Sequence, residues 1–509
     1  MTMELEFERD TVTYYETAAC VTLCQEETLE SIVPDACPDI LRIVDVCGQA
    51  MLTGTQAREG AASVSGVVRA WILYQPEGDQ GLRRMEVSIP FSCQAEAPGL
   101  NDQGRVLASP RLRCAEARML NPRKVLLRVD LAVDITACQP VERPICRGVL
   151  EGEKNGVCQR QFQGETYQIT SVQEKPFTFS EEVRVQTSSG EPPQLLAVRA
   201  QAQCSERKLI GSKLVLKGMV ELSLLLQEAG GALTSNHQSL PFSQIMEVSG
   251  VGEESDCQVT VEVTQIQCEP SIGDGATLEI DLELLAQTLV RSRRPVVLLQ
   301  DLYSTQWQTE ADTETQQLCR LGDQTARSQP VRELLETGEL ARSVVDSRLA
   351  LGQVVQSREG EQLVLTCDAW AAVLYLDEKG QPRCVRRTIP VTCRLDCPAD
   401  FRCSCTCVPG ELFAAPSAGG VEVRFNLEFQ CLTTASLPVP MVKNARLGEA
   451  RTAGEGQRPS VVLRMAAPGE GVWELAKAYG TTKEQILQAN ELDSEQLPAG
   501  KLLLIPSTR

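Results

Sequence analysis

A long-period repeat limits this chain more than any other feature. Three segments read alike: GVVRAWILYQPEGDQGLRRMEVSIPFSC from Gly66 to Cys93, GMVELSLLLQEAGGALTSNHQSLPFSQ from Gly218 to Gln244, and CDAWAAVLYLDEKGQPRCVRRTIPVTC from Cys367 to Cys393. Each has an apolar strand, a polar turn containing glycine, and a second apolar strand ending in Ile/Leu-Pro-Phe/Val-Ser/Thr. Tyr74, Leu226 and Tyr375 hold corresponding places, 152 and 149 residues apart. That spacing is too long for a solenoid unit and matches a whole domain. The chain therefore reads as three tandem copies of one domain, at residues 1–150, 151–300 and 301–436.

The rest of each copy supports a mainly β, antiparallel architecture. Copy one continues with Arg111–Cys114 and KVLLRVDLAVDI (Lys124–Ile135). Copy two has CQVTVEVTQIQC (Cys257–Cys268) and TLEIDLELLAQ (Thr277–Gln287). Copy three has FRCSCTCV (Phe401–Val408) and VEVRFNLEFQC (Val421–Cys431). Alternation with period two over such lengths predicts half-buried strands. Hairpins are predicted at Glu77–Gly78, Gly230–Gly231 and Lys379–Gly380. The lead-ins Pro38–Val44 and Val331–Glu336 are compatible with short helices, the first because Pro and Asp suit a first helical turn.

From Leu437 to Pro459 the pattern stops, and Pro438, Pro440, Gly448, Gly454, Gly456 and Pro459 predict a linker. Residues 460–509 form a different, βααβ pattern. A strand at Val461 leads to a helix over Val472–Tyr479, a Gly480–Thr481 turn, a second helix over Lys483–Asn490 and a closing strand over Lys501–Ile505.

Composition removes several function classes. Of 509 residues, one is histidine, His237, so Ser-His or Cys-His catalysis must use that residue and His-rich metal sites are excluded. The net charge of −19 argues against non-specific nucleic-acid binding and against an anionic membrane surface. The opening MTMELEFERD lacks the basic and apolar regions of a signal peptide, and no run of about 18 apolar residues occurs. The expectation is a cytoplasmic protein whose 21 cysteines are reduced, mostly small buried hydrophobes.

Three local features invite chemistry. Cys403, Cys405 and Cys407, with Cys393 and Cys397 nearby, could suggest zinc. Alternating strand residues point one way about 7 Å apart, however, and structural zinc uses Cys-x-x-Cys knuckles, so a buried strand face is expected. His237 lies in the polar turn of copy two only, as a solvated loop histidine does. No Gly-x-x-x-x-Gly-Lys-Ser/Thr occurs, and pairs such as Glu181–Glu182 are solvated surface charge. Neither a catalytic residue nor a metal or other cofactor is predicted.

Residues 460–509 resemble a LysM module, on Gly469, Trp473, Leu475, Ala476, Tyr479, Gly480, Ile486, Leu487, Asn490, Leu492, Leu497, Gly500, Leu502, Leu504, Ile505 and Pro506. Where that family has Asp-Thr or Asp-Ser after the first glycine, this chain has Glu470–Gly471. The resemblance implies that glycan containing N-acetylglucosamine is held by the loops Pro468–Val472 and Asn490–Gly500. The candidate binding residues are Gly469, Glu470, Gly471, Val472, Trp473, Asn490, Leu492, Leu497 and Gly500. Trp473 and Tyr479 fit either a glycan groove or a small-domain core. The three repeats resemble the SPOCS (spore coat assembly) domain of endospore-forming Firmicutes, on Pro38–Leu41, Asp301–Trp307, Val331–Leu335 and Ile89–Ser92. Three such domains and one LysM module is the architecture of a group of clostridial spore coat morphogenesis proteins. This resemblance implies a non-enzymatic scaffold in the mother cell at the forespore surface, partnered by coat morphogenetic proteins such as a SpoIVA-like ATPase. Self-association by strand addition at exposed edges is a further expectation. The alternative is a peptidoglycan-binding protein acting through the LysM module.

Overall fold

The structure is a computed structural model and describes residues 3–78, 81–185, 192–252, 254–271, 274–451, 461–467, 469–495, 497 and 500–506. After a two-residue strand β1 (Met3–Glu4), one order of strands occurs three times. The first unit holds β2 (Phe7–Ile32), β3 (Ile40–Arg58), β4 (Ala61–Pro76), β5 (Arg83–Glu96), β6 (Arg105–Asn121) and β7 (Lys124–Val149). The second holds β8 (Val157–Arg184), β9 (Gln194–Ile210), β10 (Lys213–Gln227), β11 (Leu233–Glu247), β12 (Asp256–Ser271) and β13 (Asp274–Ser304). The third holds β14 (Trp307–Glu336), β15 (Ala341–Glu359), β16 (Gln362–Asp377), β17 (Pro382–Asp396), β18 (Phe401–Pro409), β19 (Phe413–Ser417) and β20 (Gly420–Ala450).

In each unit the first long strand pairs antiparallel with the last, and the strand before the last lies on its other edge. The three strands between them form a separate meander: β3-β4-β5, β9-β10-β11 and β15-β16-β17. The predicted hairpins fall in these meanders, where Gly78, Gly231 and Gly380 take positive φ. The repeated sequence follows from one contact. Gly66 lies opposite Phe91, and Gly218 opposite Phe242. A β-carbon on Gly66 would come within 2.2 Å of the Phe91 ring, and one on Gly218 within 2.5 Å of the Phe242 ring. Each glycine thus makes room for the aromatic ring across from it. In the third unit the same pair is Cys367 opposite Val391.

The units close on one another. Tyr15 pairs with Ile169 and joins the long-strand sheets of units one and two. β1 pairs with the end of β20, Met3 opposite Leu447, linking the first strand to the third unit. An apolar cluster draws on all three long-strand sheets, with Ile145 from the first, Leu298 from the second, and Leu318 and Met441 from the third. Charge fixes the meanders to each other. The first meander strand skips one residue at the same place in every unit, at Val44, Leu196 and Val345. Just beyond this bulge stand Asp45, Ala197 and Asp346, and two residues further Cys47, Arg199 and Arg348. Arg348 of unit three grips Asp45 of unit one with both terminal nitrogens (2.6 and 2.8 Å), and Arg386 adds a third bond at 2.9 Å. Arg199 of unit two reaches Asp346 of unit three at 2.9 Å. The remaining place in the cycle is apolar, with Cys47 and Ala197 buried in one cluster. Units one and two are joined instead by glutamine amides that imitate a neighbouring strand. Gln49 donates to and accepts from Ala200, as does Gln287 with Ala108 and Gln227 with Leu82.

Three sequence expectations are corrected here. Pro38–Val44 and Val331–Glu336 are strand, or the approach to strand, and not helix. Bulges past Leu41 and Val44 break the alternation, so Ile40, Ile43 and Val44 mimic a helical period. The linker expected over 437–459 is strand as far as Ala450, because Pro438 and Pro440 face Gln317 and Thr315 within the β14 ladder. Gly454, Gly456 and Pro459 lie outside the described residues. His237 lies on β11 opposite Ser223, not in a loop.

Candidate functional site: the C-terminal module and its seat

The last segment folds as β21 (Val461–Met465), α1 (Val472–Tyr479), α2 (Lys483–Ala489) and β22 (Leu502–Pro506), with β21 and β22 antiparallel. Gly480, in the left-handed conformation, ends α1 and donates to Ala476. A capping box between Thr482 and Gln485 starts α2. Val472, Leu475, Ala476, Ile486, Leu503 and Ile505 make a small buried core.

The candidate loop residues divide into two groups. Gly469 has φ +78° and an exposed position. Glu470 turns back on its own loop: its carboxylate accepts from Arg464 (2.7 Å) and from the Ala467 N–H (3.1 Å). Gly471 caps α1, and a β-carbon there would meet the Glu474 carboxylate at 2.5 Å. Gly500, at φ +77°, donates to the Ala466 carbonyl (3.1 Å). The Val472 N–H reaches the Glu495 carbonyl at 3.4 Å, which brings the two loops together. The second group is structural. Asn490 donates to the Ile486 and Leu504 carbonyls and accepts from the Leu504 N–H, pinning α2 to β22. Val472 is fully buried, and Leu492 and Leu497 pack half-buried on the core. Of the two predicted loops, Pro468, Gln496, Pro498 and Ala499 lie outside the described residues.

Trp473 has a task that the sequence did not reveal. Its indole N–H donates to Asp301 Oδ2 at 2.8 Å, and its ring meets Tyr303 edge-on with centroids 5.0 Å apart. The Arg160 guanidinium lies 5.4 Å from the ring centre and pairs with Glu474 at 2.8 Å. Lys477 holds both oxygens of Asp301 (2.7 and 2.9 Å), and the Tyr303 hydroxyl donates to the Thr481 carbonyl (2.8 Å). Burial, with the nearby Cys158 thiol, pushes the Tyr303 phenol well above its ordinary range. Asp301, Tyr303 and Arg160 come from adjoining ends of β13 and β8, where a bulge past Gln300 turns Asp301 toward the module. The segment Asp301–Trp307 stood out in the sequence, but nothing local shows that it faces residues 170 positions away.

The outward face of the β21–β22 hairpin is apolar. Val461, Leu463 and Met465 alternate along one strand and lie opposite Pro506, Leu504 and Leu502. Leu463 and Met465 are 62% and 63% exposed, and Val461, Leu502 and Leu504 are exposed too. Isolated exposed apolar residues are ordinary, but among the described residues this set is contiguous across two strands.

Elsewhere, a cavity of about 210 Å³ lies where the long strands of the three units meet, lined by Tyr14, Arg143, Arg147, Gln168 and Arg294 among others. Its arginines are engaged by Glu16, Asp10 and the Gly250 carbonyl respectively. His237 is exposed with Nδ1 3.1 Å from Ser223 Oγ, and among the described residues no carboxylate orients its ring. Among the described residues no group of three or more Cys, His, Asp or Glu is placed to hold a metal ion.

Residues 39–119 and 193–271 match the family model described as SipL, SPOCS domain, and residues 467–506 match the LysM domain. The chain carries two segments similar to the SipL SPOCS domain and one similar to the LysM domain. No curated protein matches it. Each SPOCS match spans the meander and the strand after it, β3–β6 and β9–β12, and leaves the first and last long strands outside. The LysM match covers the two helices and both flanking loops. The SPOCS segments tie the chain to sporulation, and the LysM segment ties it to peptidoglycan-binding modules; both are binding domains. Among the described residues no helix is long and apolar enough to cross a membrane.

Proposed function

We propose that the protein is a non-enzymatic scaffold of endospore formation that attaches the spore coat at the forespore surface from the mother cell. In this reading the third unit is a diverged SPOCS domain, since it repeats the strand order of the other two. The observation that carries the reading is the division of labour within the LysM module. Trp473, the ring best suited to stack on a sugar, is 5% exposed and committed to Asp301 and Tyr303, while the β21–β22 hairpin leaves its apolar side chains exposed. Such a face suits a protein partner, and the expected one is a SpoIVA-like coat ATPase. The second reading, peptidoglycan binding, rests on the LysM match and on the first loop, whose Gly469 stays exposed.

The test is binding by the full chain carrying Leu463→Asp and Met465→Asp. Loss of binding to a purified SpoIVA-like ATPase, by at least about tenfold, is expected, because two desolvated apolar contacts contribute on the order of 2–3 kcal/mol. Undiminished ATPase binding, together with retention of the unaltered chain on purified peptidoglycan, would favour the second reading.

A further inference from the structure

The third unit gathers thiols against one apolar cluster. Cys403, Cys405 and Cys407 alternate along β18 and face the same apolar cluster as Cys367, Cys393 and Cys431. Cys405 stands directly opposite Cys431 in the β18–β20 ladder, and their sulfurs are 3.4 Å apart. The corresponding pairs in units one and two, Ala108 with Ile135 and Val259 with Thr288, contain no sulfur. Among the described pairings β18 has β20 as its one ladder partner, so it is an edge strand. Cys405 is half-buried on that edge, and Cys431 lies behind it with 4% exposure.

We propose that Cys405 and Cys431 are a reversible disulfide site that staples the edge strand β18 to the long strand β20. Residues directly opposite in an antiparallel pair have β-carbons about 4.5–5.5 Å apart, close to the range a disulfide spans, so a small approach of the strands completes the bond. The oxidant is a low-molecular-weight disulfide. The Cys405 sulfur attacks one sulfur of that molecule, forming a mixed disulfide and releasing one small thiol, which takes up the Cys405 proton. The Cys431 sulfur then attacks Cys405 Sγ and expels the second small thiol, which takes up the Cys431 proton. Two protein thiols are oxidised and one small disulfide is reduced to two thiols, so atoms and electrons balance.

The full chain, reduced and then incubated with glutathione disulfide, is digested and its peptides are mapped by mass spectrometry. A Cys405–Cys431 cross-link in most molecules, reversed by dithiothreitol and absent from Cys405→Ser, is expected. The exposed Cys20 and Cys24 report that the oxidant acted. In Cys431→Ala, Cys405 should end as a stable glutathione adduct, which separates the first step from the second. The proposal is overturned if Cys20 and Cys24 are modified while Cys405 and Cys431 stay unlinked, if Cys405 pairs with another cysteine, or if Cys405 of the Cys431→Ala chain stays free.

Discussion

Units one and three have the same strand order but differ in what fills it. In the first unit Gly66 shelters the Phe91 ring, and β6 runs unbroken beside β7. In the third, Cys367 and Val391 occupy the glycine and aromatic places, and the outer strand is split into β18 and β19. The family model matches the first two units and not the third. The ladder is therefore indifferent to this exchange as long as the two opposed side chains together fill one volume. The units also differ in charge. Beside the bulge, unit one offers only the acceptor Asp45, unit two only the donor Arg199, and unit three both, with Asp346 and Arg348. The three units thus hold distinct places around a ring, and two of the three joins between their meanders are ionic.

The largest way to break this asymmetry is Asp45→Ala. It leaves Arg348 and Arg386 without their shared carboxylate, and removing one member of a buried pair costs about 3–5 kcal/mol. A fall in the urea midpoint of the full chain is the measurement, and Asp346→Ala, which also strands Arg199, should behave alike. The same contact sets an acid limit. Burial alone would raise the Asp45 pKa, but Arg348 and Arg386 hold it well below the carboxylate range. A depressed acid contributes stability that is present above its unfolded pKa of about 3.9 and is lost as pH falls further, toward the folded value. The difference in stability between wild type and Asp45→Asn should therefore be constant from pH 7 to 5 and shrink below about pH 4. A constant difference down to pH 2 would contradict the assignment.

A smaller effect comes from the glycine places. Gly218→Val drives a side chain into Phe242 and the Gln203 carbonyl, and overpacking of this kind costs about 1–3 kcal/mol. Adding Phe242→Val should recover only the part due to the ring, as measured by thermal unfolding, because the Gln203 carbonyl still stands 2.1 Å from the new β-carbon. The smallest effect is expected from the reverse exchange, Cys367→Gly with Val391→Phe, which gives the third unit the pair of the other two. A change within about 1.5 kcal/mol is expected, the range of volume-conserving swaps. A much larger loss would mean that the third meander has repacked around its cysteines beyond this pair.

The repeat, the β character and the turns were legible because period two and Gly-centred hairpins are local signals. The module's elements were legible for the same reason: α1 spans Val472–Tyr479 as predicted, and α2 ends at Ala489, one residue early, with Asn490 as its cap. Bulges hid part of the pattern, since the residues skipped at Leu41 and Val44 turn an alternating strand into an apparent helix. Prolines hid another part: Pro438 and Pro440 read as linker but sit in a ladder. The site was legible only in outline. The loop residues could be named from the module, yet Trp473 belongs to a contact with Asp301 that spans 172 positions. Setting the three copies side by side at Asp45–Cys47, Ala197–Arg199 and Asp346–Arg348 would have exposed the charge cycle, because the acceptor and donor places lie two residues apart in every copy, with an apolar residue standing in for one of them in the first two.

The pairing of Met3 and Glu4 with Leu447 and Arg446 has a further consequence. Strand partners lie about 5 Å apart, so the beginning and end of the three-unit body could be spliced with a few residues. New termini could then be opened at the short turn between units one and two, around Gly152–Asn155. The order in which the ribosome delivers the units is therefore separable from the order in which they stand around the ring.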